Sequence, residues 1–499
     1  MRLRRASRFL LGLSCLALPA AAAGRAGEPP RPGVGAPADA SRPVVTGRLG
    51  NGVRYAILPR RGGAPGVALL MRIEGGFLAE RRPGERGLAH LIEHLAFHSP
   101  TRTAPDQRER FREVGMPLTL PEPAGGTTTW RESDYFVVSR TAAPADLDAL
   151  LGLYREVAGE LTLRADAVDE QRAEVMREMA DRRPGNDAYA RYVSAVAPGS
   201  PTDVIDAQNS DDVPTAGVET IRALYHRLYR PENTVLVLVG DVDPHRMEAL
   251  VERRFGDWRG VGPAPGRVAV PTFRADRVAP VSHAASPDGR RTAGLTVVMP
   301  VPPAPPSRER QARATLMDML ATRAATDRMA LSQGGFPPGK YGVFIENGEQ
   351  GHRLFNMWDN FAPGRWREAV AGLKRLSCDL AATGFTQAGW AAAKRSLLAE
   401  LERRAAADRP AIELARELAD ALTAGREPIP PGDLLRRARA WLPTLDARTG
   451  AGWWRRQWRA GPEHLRVEAP ELAQVADPDA AIRAAADGAV GAGCAVRRR

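Results

Sequence analysis

The segment from Asn233 to Gly240 reads Asn-Thr-Val-Leu-Val-Leu-Val-Gly. Such a near-continuous run of β-branched and leucine side chains is typical of a strand covered on both faces. The chain must therefore supply packing elements to either side of it, and the surrounding sequence mixes strands with helices. Val44 to Leu58 predicts two short strands about Asn51-Gly52, a favoured hairpin turn pair. Val67, Leu69, Met71 and Ile73 alternate as in a half-buried strand. A helix containing His90 follows, and after irregular sequence comes a strand from Tyr135 to Ser139. Helices are expected from Pro144 to Leu161, with the proline in the first turn where it is tolerated, from Ala165 to Arg183 and from Pro244 to Phe255.

Gly262 to Pro280 is rich in Pro, Gly and Arg, has little periodicity and marks a domain boundary. The second half predicts a strand from Gly294 to Met299, a Pro-rich loop to Pro306, and helices near Arg310 to Ser332, Trp366 to Ala382 and Gln387 to Ala407. A Trp-bearing helix and a strand from Leu465 to Glu468 close it. The expected division is a leader at 1–23, a linker at 24–42, a first domain at 43–262, a linker at 263–280, a second domain at 281–485 and a flexible tail at 486–499. No repeat is visible at the level of residue identity.

A content of 43% hydrophobic and 26% charged residues is ordinary for globular chains and excludes a disordered tail protein. Met1 to Arg5 is a basic n-region, Phe9 to Leu18 an apolar h-region, and Ala20 to Ala23 supplies small residues for a signal peptidase, so export to the periplasm with cleavage near Ala23 is expected. Without the leader's Arg2, Arg4, Arg5 and Arg8, 66 basic residues stand against 59 acidic ones, which leaves +7 spread along the chain. Nearly all the cations are arginine, as a biased base composition produces, whereas a nucleic-acid surface would be clustered and interleaved with aromatics. Trp453-Trp454-Arg455-Arg456-Gln457-Trp458 is the one such stretch, and its i,i+4 tryptophans fit an amphipathic helix against a core. No nucleic-acid partner is expected. Nor is a membrane span, since no apolar run beyond the leader approaches the ~18–20 residues required. Cys378 and Cys494 remain after cleavage, and an oxidising compartment would permit one bridge.

The chemistry-bearing feature is Gly87-Leu88-Ala89-His90-Leu91-Ile92-Glu93-His94-Leu95. In a helix His90, Glu93 and His94 fall at i, i+3 and i+4 on one face, while the leucines and Ile92 pack elsewhere. Two imidazoles one turn apart can share a cation, and the carboxylate between them can reach a water on that cation without ligating. This is the inverted zincin pattern H-x-x-E-H. Its bland counterpart is a helix with solvated polar residues, and with eight histidines in 499 residues the pairing is unusual.

The stretch from Gly75-Gly76-Phe77-Leu78-Ala79-Glu80 through Glu93-His94-Leu95-Ala96-Phe97 resembles the insulinase/pitrilysin family of zinc metallopeptidases, which includes the mitochondrial processing peptidases. Leu49-Gly50-Asn51-Gly52-Val53, Leu228 to Asn233, Val239 to Asp243 and, less specifically, Gly384-Phe385-Thr386 extend the resemblance from about Leu49 to Glu468. It implies an α+β fold of two related domains, each a mixed, mostly antiparallel sheet with helices packed on one face, together forming half of a clamshell. It further implies one Zn2+ per chain, with a glutamate on a later helix as third ligand. The matching segment Gln171 to Glu178 places that ligand at Glu178, with Glu174 and Glu170 one and two turns earlier as alternatives. His90, His94 and Glu178 would then hold zinc and Glu93 would be the general base.

Two positions depart from the family pattern. Gln171 stands where a second glutamate is common, and Gly125-Gly126-Thr127-Thr128-Thr129 lacks the asparagine of the substrate-holding edge strand. His98 reads as an ordinary loop histidine. The function implied is an exported zinc metalloendopeptidase acting on peptides or unfolded polypeptides. The alternative is a catalytically weak or inactive structural subunit of a paired peptidase-like complex. A second family chain, as heterodimer or homodimer, is the expected partner, because the partner-facing Arg and Tyr pair is not discernible around Gln333 to Tyr341.

Overall fold

The computed structural model describes residues 43–489, apart from 61–65, 100, 102–123, 140, 206–208, 267, 287–288, 302–306, 332–339, 348–351 and 408. The expected leader, the 24–42 linker, the loop to Pro306 and most of Gln333 to Tyr341 lie outside the described residues. Two mixed sheets organise the chain. The first contains β1 (Val45–Arg48), β2 (Arg54–Pro59), β3 (Val67–Glu74), β4 (Ala124–Thr128), β5 (Glu132–Ser139) and β6 (Thr234–Gly240) in the order β1-β2-β6-β3-β5-β4. The second contains β7 (Val281–Ala284), β8 (Thr292–Pro300), β9 (Tyr341–Asn347), β10 (His352–Asn360) and β11 (Glu463–Glu468) in the order β7-β11-β8-β10-β9. Among the described residues only β2 with β6 and β7 with β11 run parallel.

One face of the first sheet is covered by α1 (Leu88–His98), α2 (Pro144–Gly159), α3 (Ala165–Val196), α4 (Val218–Leu228) and α5 (Pro244–Phe255), which share a core with Leu69, Met71, Ile73, Leu236 and Leu238. The helices of the second half are α6 (Arg308–Ala330), α7 (Trp366–Thr383), α8 (Gln387–Ala406), α9 (Ala411–Thr423), α10 (Pro431–Trp441), α11 (Ala447–Trp458) and α12 (Pro478–Asp487). Trp453, Trp454 and Trp458 are all buried in the second core, as an amphipathic α11 requires. Cys378 in α7 is disulfide-bonded, its other half lying outside the described residues.

The halves exchange helices. Leu414, Ala415, Leu418 and Ala419 of α9 lie on the outer face of the first sheet against Ala68, Leu70, Val235, Val237 and Val239. Val193 and Val196 at the end of α3 pack in turn on Val298 and Leu354 of the second sheet. This exchange corrects two expectations. The strand at Val67 is buried on both faces rather than half-buried, because α9 covers the side that alternation assigned to solvent. Helix α3 continues to Val196 instead of stopping at Arg183, because its last turns have the second sheet to pack on. Strand β6 is buried along its whole length between the two layers.

Candidate metal centre

Gly87 caps the N-terminus of helix α1, and its left-handed φ of 85° suits a residue without a Cβ; a Cβ there would meet Ser210 Cα and Val213 Cγ2, each at 2.8 Å. The orphan amides of its first turn are met from outside. Glu80 Oε2 accepts from Gly87 N at 2.9 Å and its Oε1 from Ala89 N at 2.7 Å. Burial nevertheless raises the Glu80 pKa to about 8, outweighing those two amides. Leu88, Leu91, Ile92 and Leu95 are fully buried, and this apolar face fixes the rotation of the helix. His90, Glu93 and His94 are therefore turned together toward α3 and β4.

From α3, Val168, Gln171, Val175 and Glu178 fall on one face at i, i+3, i+7 and i+10, with Val168 and Val175 fully buried. That spacing carries Glu178 to the histidines. Glu178 Oε2 lies 3.2 Å from His94 Nε2, and Oε1 lies 3.8 Å from His90 Nε2. One ligand atom from each of the three residues lies within 4.8 Å of the others. Donors about 2.0–2.2 Å from a tetrahedral ion sit roughly 3.3–3.6 Å apart, a range that the two separations from Glu178 bracket, so this set of two imidazoles and a carboxylate suits zinc. Glu174 is exposed and paired with Arg177, and Glu170 is also on the exposed side of α3.

The imidazoles meet edge to face, with centroids 4.9 Å apart. Gln171, though a departure from the family pattern, is buried and places Oε1 3.3 Å from His94 Nδ1. An amide oxygen there accepts the Nδ1 proton and leaves Nε2 as the donor atom for a metal. In the metal-free site burial opposes charge on His94, but the Glu178 hydrogen bond and the Glu93 and Glu178 carboxylates outweigh it and raise the pKa.

Glu93 is buried and stands apart from the three donors. Thr128 of the edge strand β4 donates its hydroxyl to Glu93 Oε2 at 2.8 Å. The sequence singled out this stretch only for its missing asparagine. The structure explains that absence in part, since a Cβ at Gly125 would lie 2.7 Å from Phe136 Cζ. His98 is the final residue of α1 rather than part of a loop.

An insulinase (peptidase family M16) model matches residues 56–191, and a peptidase M16 inactive-domain model matches residues 216–397. The chain belongs to the insulinase family of peptidases, with the α+β fold of half such a molecule. Among its relatives is the probable zinc protease PqqL of Escherichia coli, 29% identical over 219 residues, which are 42% of this chain and 22% of the relative. Another is the zinc protease PqqE of Helicobacter pylori, 25% identical over 215 residues, which are 42% of this chain and 44% of that one. The chain thus covers less than half the length of both relatives. The crystal structure of the first half of the periplasmic protease PqqL from Escherichia coli superposes with a TM-score of 0.77 at 20% identity, over 91% of this chain and 98% of that one.

Proposed function

We propose that this chain is the zinc-binding half of an exported metalloendopeptidase that hydrolyses peptides or unfolded polypeptides. The observation that carries this function is the meeting of His90, His94 and Glu178 donor atoms within 4.8 Å, with Glu93 on the same helix face but outside the set. Zinc held by these three residues, one ion per chain, supplies polarisation of the scissile carbonyl and lowers the pKa of water toward ~7. Glu93 accepts a proton from the attacking water and returns it to the leaving amine. Gln171 keeps the His94 ring oriented with Nε2 toward Glu178. No covalent intermediate with the chain is required.

The names of the relatives support peptidase activity, and the periplasmic setting given for PqqL, together with the Met1 to Ala23 leader, supports export. Among the described residues no helix is long and apolar enough to cross a membrane. Likeness to the first half of PqqL supports a second family chain as the partner that closes the site. Glu93→Gln tests the function: zinc content and fold should stay, while peptide hydrolysis should fall at least ~10²-fold, because the amide cannot accept the water proton. Equal cleavage by wild type and variant, with the partner present, would leave the structural-subunit alternative standing.

A further inference from the structure

Helix α1 carries Glu93, and the carboxyl group of Glu93 makes a polar contact with the edge of the sheet. Strand β4 is the last strand of its sheet and pairs with β5, Thr128 standing opposite Ser133. On the face turned to α1, Thr128 gives its hydroxyl proton to Glu93 Oε2 at 2.8 Å. Thr128 Oγ1 also lies 3.1 Å from the hydroxyl of buried Ser133. Since the single Thr128 proton goes to the carboxylate, Ser133 must be the donor in the second contact. The result is a two-hydroxyl chain from Ser133 through Thr128 to Glu93, each bond polarising the next.

Gly126, two residues earlier on the same face, completes the arrangement. A Cβ there would lie 2.5 Å from Glu93 Oε1, 3.0 Å from Glu93 Cγ and 2.9 Å from Phe97 Cε2. The carboxyl group therefore lies directly against the backbone of β4, with one oxygen tied to Thr128 and the other over the glycine. Glutamate has three side-chain torsions and would otherwise sweep a wide arc from the helix surface.

We infer that Thr128 is a positioning residue: its hydroxyl, backed by Ser133, holds the carboxylate of Glu93 in its working orientation, and Gly126 leaves the space that orientation needs. This rests on Glu93 being the general base. The strand edge and the base thus form one unit, and what fixes the base is a residue 35 positions away in sequence.

Two measurements test it. The first is independent of activity: urea unfolding of metal-free wild type, Thr128→Val, Glu93→Ala and the double variant. Thr128→Val keeps the β-branched shape and loses only the hydroxyl. Its midpoint should fall further in the wild-type background than in the Glu93→Ala background, where only the contact with Ser133 is lost; equal falls in both would overturn the contact. The second uses the zinc-loaded chain with its partner and a quenched-fluorescent peptide. Thr128→Val should keep full zinc content and a KM within about twofold while kcat drops about tenfold, the scale of one hydrogen bond to a charged group, and Thr128→Ser should restore most of it. Wild-type kcat in Thr128→Val, or no rescue by serine, would overturn the positioning role. If the urea coupling is present but Glu93→Gln cleaves as well as wild type, the general-base assignment has failed instead, and the positioning role falls with it.

Discussion

Gln171 presents its side-chain oxygen 3.3 Å from Nδ1 of His94, on the far side of the ring from the Nε2 that faces Glu178. A neutral amide thus stands beside the imidazole at a position where a glutamate is common in the family. Removing it should loosen the metal without removing a ligand. Gln171→Leu should weaken zinc binding by about 10–100-fold in a chelator competition. Gln171→Glu, a stronger acceptor, should match or exceed wild-type affinity. Undiminished affinity in Gln171→Leu would show that packing alone orients His94.

The choice among the three glutamates of α3 can be read from metal content. His90→Ala or Glu178→Ala leaves two donors, which hold zinc poorly, so the metal should be lost on dialysis. Glu174→Ala should keep it, because Glu174 is exposed and paired with Arg177. Retention in Glu178→Ala with loss in Glu174→Ala would move the ligand one turn along the helix.

Arg72 of β3 is 2% exposed and joins the halves, donating to both oxygens of Asp134 at 2.7 and 2.8 Å and to Asp420 of α9 at 2.7 Å. Burial raises the Asp134 pKa while Arg72 opposes it, so Asp134 depends on its partner to stay charged. Arg72→Met should cost about 3–5 kcal/mol by urea unfolding, because it strands a buried carboxylate. Asp420→Ala should cost only ~1 kcal/mol or less, since that carboxylate is 46% exposed. Adding Asp134→Leu to Arg72→Met should recover part of the loss.

Glu80 predicts a pH dependence of the metal-free protein. Its folded pKa of about 8 exceeds the ordinary 4.5, so between those values the folded state holds more protons than the unfolded one. Its stabilising contribution is complete below pH 4.5 and is lost as pH rises toward 8, with a slope of at most ~1.4 kcal/mol per pH unit. His464 acts oppositely: burial lowers its pKa to about 4, so its contribution is present above 6.5 and lost as pH falls toward 4. Thermal melts in a chelating buffer should show Glu80→Gln flattening the alkaline side alone. An unchanged alkaline slope would mean that Glu80 is ionised in the fold.

Activity should need a second family chain. One half of this chain carries the candidate metal donors His90, His94 and Glu178, and a half-shell would hold substrate from one side only. Purified alone, the protein should cleave short peptides feebly and gain strongly on co-expression with a related exported chain lacking H-x-x-E-H. Size-exclusion chromatography with assays of each peak checks this, and full activity in a monomeric peak would contradict it.

The sequence by itself determined what depends on local spacing. His90, Glu93 and His94 share a face because a helix repeats every 3.6 residues, and Thr234 to Gly240 reads as a doubly covered strand because it offers no polar face. Tertiary structure decided what covers that strand, since α9 comes from more than 170 residues away and alternation at Val67 could not foresee it. It also brought Glu178, rather than Glu174 or Glu170, beside the two histidines, since one helix displays all three until the packing of Val168 and Val175 sets its rotation. The hydroxyl of Thr128 on Glu93 was least legible, because a hydrogen bond between a strand and a helix leaves no periodicity in the chain and exists only once β4 is laid along the edge of the sheet.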